Sequence, residues 1–156
     1  MSVVALLDAN VLYPSTTRSV LMYLAAVGTF QPLWSEAIQH EWMAALERDR
    51  PDLSAARIAR TRILMEAHVN NAMVTDHEPL KPTLSLPDLD DRHVLAAAIH
   101  GGASIIVTAN ARDFPATTLN NHGIVAKHPD AFIRELIETA PDAALLAFRT
   151  DRADEI

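Results

Sequence analysis

Val3 to Leu7 is an uninterrupted apolar run, Val-Val-Ala-Leu-Leu, and it ends on Asp8, with Asn10 two residues further on. A short apolar run with no polar alternation reads as a strand buried on both faces, and such strands belong to parallel sheets covered by helices. Because strands and helices alternate along the rest of the chain, this stretch points to an α/β domain with a mainly parallel sheet. It also sets Asp8 at the C-terminal end of a strand, the edge where open α/β sheets bind ligands. A lone Asp there also closes turns and caps helices. Its meaning depends on whether other carboxylates arrive at comparable points.

The polar break Tyr13-Pro-Ser-Thr-Thr17 reads as a loop, followed by a helix with Val20, Leu21 and Leu24 inward and Arg18 in its first turn. Arg18 is there either a solvated surface group or a contact for a phosphate near the loop after strand one. Gln31 to Trp34 reads as a second strand, and Ser35 as the N-cap of a helix whose buried stripe is Ile38, Trp42 and Ala45 or Leu46. Glu41 falls at the edge of that stripe, from which a side chain can snorkel to solvent or reach a site. Leu53 to Val69 reads as a long helix with Ile58, Met65 and Val69 on one side and Arg57, Arg60 and Arg62 on another. Taken singly, each arginine reads as part of a solvated face, the sharper alternative being a rim contact for RNA or a protein. A short strand over Asn71–Val74 follows. The segment 75–87, with Pro79, Pro82 and Pro87, is then expected to be extended with little helix.

The densest signal is Leu86-Pro-Asp-Leu-Asp-Asp-Arg-His-Val-Leu-Ala-Ala-Ala-Ile99. Asp88, Asp90 and Asp91 fall just before or within the first turn of an alanine-rich helix with Val94, Leu95 and Ala98 inward. The helix dipole favours acids there, but three in four positions exceed what a cap requires. Gly101-Gly102 ends the helix. Ala103 to Thr108 is a second apolar strand that runs into polar groups, Thr108, Asn110 and Asp113, repeating the arrangement at Asp8. A last strand, Gly123–Ala126, and helices opening at His128-Pro129-Asp130 and at Pro141 complete the chain.

The length, 156 residues, suits one domain with a substantial core, assigned to 1–150, with a polar tail over 151–156 expected to fray. At 49% hydrophobic and 21% charged the composition is globular, and no apolar run is long enough to span a bilayer. No signal peptide is expected, because Asp8 interrupts the first apolar run, and cytoplasmic location is the default. Zero cysteines exclude disulfides, thiolate metal sites and a cysteine nucleophile. A net charge of -7 argues against a broad basic face for nucleic acid, but not against an enzyme whose metal-binding acids add negative charge.

Asp8, the start of the Asp91 helix and the Asp113 loop can converge on one sheet edge, with Glu41 reaching in from a flanking helix. Four carboxylates without cysteine or paired histidines make a hard-ligand site, suited to Mg²⁺ or Mn²⁺ rather than zinc. Two such ions about 3.5–4 Å apart stabilise the attacking and leaving oxygens of a displacement at phosphorus, so the chemistry indicated is phosphodiester hydrolysis. His40, His93 and His100 lie on helices and His68, His77, His122 and His128 are scattered; no pair has metal-binding spacing, and none is assigned to catalysis.

Leu-Leu-Asp8-Ala-Asn10-Val-Leu, Ser35 with Glu41 six residues on, Asp90-Asp91 before Val-Leu-Ala-Ala-Ala, and Val-Thr108-Ala-Asn110-Ala-Arg-Asp113-Phe resemble the successive motifs of PIN domains. The resemblance runs from Val3 to about Leu136. It implies a three-layer α/β/α sandwich with a central, mainly parallel sheet, and a metal-dependent endoribonuclease of the kind found as VapC-like toxins of bacterial toxin–antitoxin pairs. It further implies an RNA substrate, a protein antitoxin, no membrane, and a homodimer, for which the apolar helix Pro141 to Phe148 could serve. Carried across, Asp8, Glu41, Asp91 and Asp113 match the four family acids, as catalytic and metal-binding residues. Asp90 is an alternative or additional ligand to Asp91, since a one-residue shift exchanges them. Asn10 and Thr108 match supporting polar positions, Asn110 stands where many members have a further acid, and Asp88 is left as a turn residue. A rival reading is a catalytically weak RNA-binding or interaction module. A haloacid-dehalogenase-like phosphatase would want Asp at position 10, and a Rossmann-type cofactor site would want a Gly-rich turn after the first strand.

Overall fold

The computed structural model describes residues 3–151, with side chains through Arg149; of the expected tail, 152–156 lie outside the described residues. Five strands form one sheet: β1 (Val3–Leu7), β2 (Phe30–Ser35), β3 (Met73–Val74), β4 (Ile105–Val107) and β5 (Val125–Lys127). Their order is β3-β2-β1-β4-β5 and every pairing is parallel. The first strand is thus central, which is why it is apolar throughout: Ala5, Leu6 and Leu7 are fully buried.

The helices are α1 (Ala9–Leu12), α2 (Ser15–Ala26), α3 (Glu36–Asp49), α4 (Ala55–His68), α5 (Arg92–Gly101), α6 (Ala116–Leu119), α7 (Pro129–Thr139) and α8 (Pro141–Asp151). From β1 to β3 the chain steps one way along the sheet, and from β3 to β5 it steps back. Right-handed crossovers then place α2, α3 and α4 on one face and α5 and α6 on the other. Helices α7 and α8 join the first layer by packing on α2. This is the expected three-layer α/β/α sandwich. No helix among the described residues is long and apolar enough to cross a membrane.

Three local differences from the sequence reading have physical causes. The polar break after Asp8 is largely helical: the Asp8 carboxylate accepts the Ala9 N–H at 2.8 Å and caps the single turn α1, and Pro14 alone separates that turn's C-cap, Tyr13, from α2. The proline-bearing segment is not simply extended, because Glu78–Thr83 winds a 3₁₀ helix. Pro79 sits at its start, where no N–H is needed, and the fixed φ of proline suits the tighter helix. Strands β4 and β5 are also shorter than the apolar runs that announced them, at three residues each.

That 3₁₀ segment packs against α5, whose inner side lies on the sheet. Every residue from His93 to Ala98 is consequently buried, and alanine is what fits between two such walls. Gly101 meets β2 so closely that a Cβ would lie 2.6 Å from Leu33 Cδ1, and Gly102 takes the left-handed C-cap at φ 75°. On the outer layer, α8 buries Ala144 and Ala147 and leaves Leu145, Leu146 and Phe148 on the surface of the single chain.

Candidate active site

The parallel register that pairs Leu7 with Val107 brings Asp8 and Thr108 side by side as the next residues of adjacent strands. The Asp8 N–H donates to Val107 O at 3.0 Å, and the Thr108 N–H to Lys127 O at 3.0 Å, so both backbones are locked into the sheet. Thr108 Oγ1 donates to Asp8 Oδ2 at 3.0 Å, and Asn10 Nδ2 donates to the same oxygen at 3.2 Å and to Thr108 Oγ1 at 3.1 Å. The Ala109 N–H donates to Asn10 Oδ1 at 3.0 Å, and the Asn110 N–H to Thr108 Oγ1 at 3.2 Å. The threonine hydroxyl thereby uses its one donor and both lone pairs. Asn10 and Thr108 are the supports the sequence suggested.

A cavity of about 400 Å³ opens at this edge, lined by Asp8, Asn10, Tyr13, Glu41, Trp42, Asp49, Asp91, Asn110 and Asp113 among others. The four expected acids therefore meet, although they come from four separate segments: the end of β1, α3, the start of α5 and the 3₁₀ turn Ala111–Asp113. Asp90 does not join them. The turn Leu89–Asp91 is itself 3₁₀, held by Asp88 accepting the Asp90 N–H at 2.9 Å, and it leaves Asp90 on the surface while Asp91 lines the cavity.

Burial raises the Asp8 pKa against the hydrogen bonds from Thr108 and Ala9, and the charge of Glu41 adds to the rise. Asp91 is pushed up to about 6, first by desolvation and then by the charges of Asp8, Asp88 and Asp113. Such mutual repulsion marks a place short of positive charge, and its donors are hard oxygens, so the residue set fits a hard divalent cation. Among the described residues no three of these acids stand close enough together to hold one ion, although all four line one cavity.

Arg18 belongs elsewhere. It is 6% exposed, its Nη1 donates to Leu12 O at 2.8 Å and Tyr13 O at 3.2 Å, and its guanidinium lies 5.2 Å from the centre of the Trp42 ring. It is a strut that ties the start of α2 to α1 and α3, and it lines a different cavity. Conversely, His93, which sequence spacing alone leaves without a role, stands at the site. Its Nε2 lies 2.6 Å from Glu41 Oε1. Burial would lower its pKa, but the hydrogen bond and charge of Glu41, with the charge of Asp8, outweigh that and hold it above the ordinary value. The available signal was its place two residues after Asp91. Tyr13 and Asp49 were also unforeseen: the tyrosine hydroxyl donates to Asp49 Oδ2 at 3.0 Å on the cavity wall.

Comparison with known families matches residues 4–112 to the PIN domain. Over 59 residues, 36% of this chain and 35% of the relative, the sequence is 46% identical to the Mycobacterium tuberculosis (strain ATCC 25618 / H37Rv) protein named "Putative ribonuclease VapC50". The match spans about a third of the length of that relative.

Proposed function

This chain belongs to the PIN domain family, and we propose that it is a Mg²⁺- or Mn²⁺-dependent endoribonuclease acting as the toxin of a toxin–antitoxin pair, restrained by a protein antitoxin. The observation that carries this reading is the meeting of Asp8, Glu41, Asp91 and Asp113 in one cavity at the sheet edge, where burial and then neighbouring aspartate charges raise the proton affinity of Asp91. The ribonuclease named among its relatives supports the choice of RNA as substrate.

Asp8, Glu41, Asp91 and Asp113 would hold the cation. When bound, it supplies Lewis-acid charge at the phosphate and acidifies water at neutral pH. The residues of the chain do the rest. Thr108 and Asn10 fix the direction of the Asp8 carboxylate, so that one acid is set before any ligand arrives. His93 holds Glu41, the one acid delivered from the middle of a helix, and keeps it turned toward the cavity. Asn110 offers a neutral amide where an acid would add to the repulsion. A homodimer would draw on the exposed Leu145, Leu146 and Phe148 of α8.

The test is cleavage of a mixed RNA pool by purified protein in Mn²⁺ or Mg²⁺, beside an EDTA control and an Asp8→Asn variant prepared identically. Cutting that needs metal and disappears in the folded variant is the expected result. Equal cutting by both proteins would trace the activity to a contaminant. No cutting together with no metal binding would overturn the nuclease reading in favour of an interaction module.

A further inference from the structure

The acidic cavity has a basic neighbour. Helices α2, α3 and α4 enclose a groove of about 360 Å³ that carries Arg18, Arg50, Arg57 and Arg60 above an aliphatic floor that includes Leu46 and Ile58. The two share α3 as a wall: Ala45 and Asp49 line the acidic cavity, and the next residues, Leu46 and Arg50, line the groove. Trp42 bridges them, facing the acids on one side and stacked under Arg18 on the other.

Four of the 13 basic residues of a chain with net charge -7 are thus gathered beside its acidic centre. Their neighbours leave much of that charge unmatched. Arg50 is held by Asp52 at 2.8 and 3.0 Å, and Arg62, further along α4, is taken up by Glu36 and Glu66. Arg57 feels the Asp52 charge at a distance, yet neither Arg57 nor Arg60 has a side-chain hydrogen bond or ion pair among the described residues, and both are exposed. A chain with seven surplus negative charges has acids enough to pair them and does not. Arg18 is anchored through Nη1 with its Nε buried and unpartnered, so one guanidinium of the set is already fixed in place. Guanidinium forks match phosphate oxygens, and an aliphatic floor gives riboses and bases a dry surface to lie on.

We propose that this groove is the track for the backbone of single-stranded RNA, with Arg57 and Arg60 holding phosphates that flank the one in the acidic cavity. The inference rests on the ribonuclease reading and adds where the strand runs beyond the reacting phosphate. It follows that affinity and cleavage efficiency depend on RNA length and on salt through these two arginines.

The experiment compares the full chain with R57Q/R60Q, using Arg134→Gln on α7, which does not line the groove, as a control for loss of positive charge. Binding of a labelled 20-nucleotide RNA is measured in EDTA across a salt series, and cleavage of the same RNA and of a trinucleotide is measured with Mn²⁺. In R57Q/R60Q, kcat/KM on the long RNA should fall roughly 10- to 100-fold. The salt slope of binding should drop by about 1.4, because each phosphate neutralised on a single strand adds about 0.7 to it. The penalty should shrink on the trinucleotide, and Arg134→Gln should match the parent. Cleavage by the parent with no change of slope or kcat/KM in the double variant overturns the track and leaves the nuclease reading standing. Binding with the expected slope but no cleavage does the reverse. A double variant that binds RNA normally but loses affinity for a glutamate-rich peptide reassigns the groove to a protein partner and also overturns the proposal.

Discussion

Asp8 and Asp91 face the same cavity but are held in opposite ways. The Asp8 carboxylate receives three hydrogen bonds, from Ala9, Asn10 and Thr108, at the rigid ends of two central strands. Asp91 stands at the entrance of a helix, its carboxylate accepts no hydrogen bond among the described residues, and its pKa is raised first by burial and then by the charges of three other aspartates. Burial raises the pKa of both, but only at Asp8 do hydrogen bonds work against that rise. The difference separates an acid that the hydrogen-bonded fold accommodates from one whose ionised form the fold disfavours.

The strongest way to sharpen that contrast is Asp91→Asn. If Asp91 contributes to transition-state charge stabilisation worth several kcal/mol, cleavage should fall on the order of 10³-fold. The same variant should be more stable than the parent in EDTA at neutral pH. The folded-state pKa of Asp91 is raised from its ordinary 3.8 to about 6, so the native state binds that proton more tightly than the unfolded chain does. Stability therefore falls as pH rises through that interval and stays low above it. An asparagine has no charge to lose, and melting curves from pH 4 to 7.5 should show a flatter profile with the variant ahead at the upper end. A variant that melts lower than the parent at pH 7.5 would break the comparison.

Thr108→Val probes the other side. It removes a fully buried hydroxyl that donates to Asp8 and accepts from Asn10 and Asn110, so activity and stability should fall together. The expected losses are roughly 10- to 100-fold in cleavage and about 1–3 kcal/mol in urea unfolding. The smallest effect belongs to His93→Leu. Glu41 is about half exposed, 49% at its side chain, so losing its partner should cost orientation rather than fold. A drop of about tenfold in kcat, with the unfolding midpoint little changed, would match that role. A large stability loss would make His93 a core residue instead.

The acids were legible in the sequence wherever the backbone alone fixes a side chain's place. Asp8 and Asp113 follow apolar strands, and Asp91 precedes an apolar helix, so sheet topology decides where they meet. Glu41 was legible only as the edge of the Ile38–Trp42 stripe. What failed to show was whatever depends on how one element turns on another. Arg18 looked exposed because nothing in Tyr13–Thr17 announces that a helical turn precedes Pro14 and folds the guanidinium under Tyr13 and onto Trp42. His93 was hidden because α5 is covered on both sides, so hydropathy could not tell its site-facing positions from its core positions. The choice between Asp90 and Asp91 likewise turned on a three-residue 3₁₀ turn, shorter than any periodicity can register.

The bond between Thr108 and Asp8 joins residues 100 positions apart. Its closure has a consequence for timing during synthesis. Asp8 is made 100 residues before the threonine hydroxyl that aims it, and β4, its neighbour on that side, is made just before Thr108, with Asp113 later still. Contacts of such long range close late. A chain cut off before Thr108 would lack this aimed carboxylate, so the order of residues itself delays assembly of the acidic cavity.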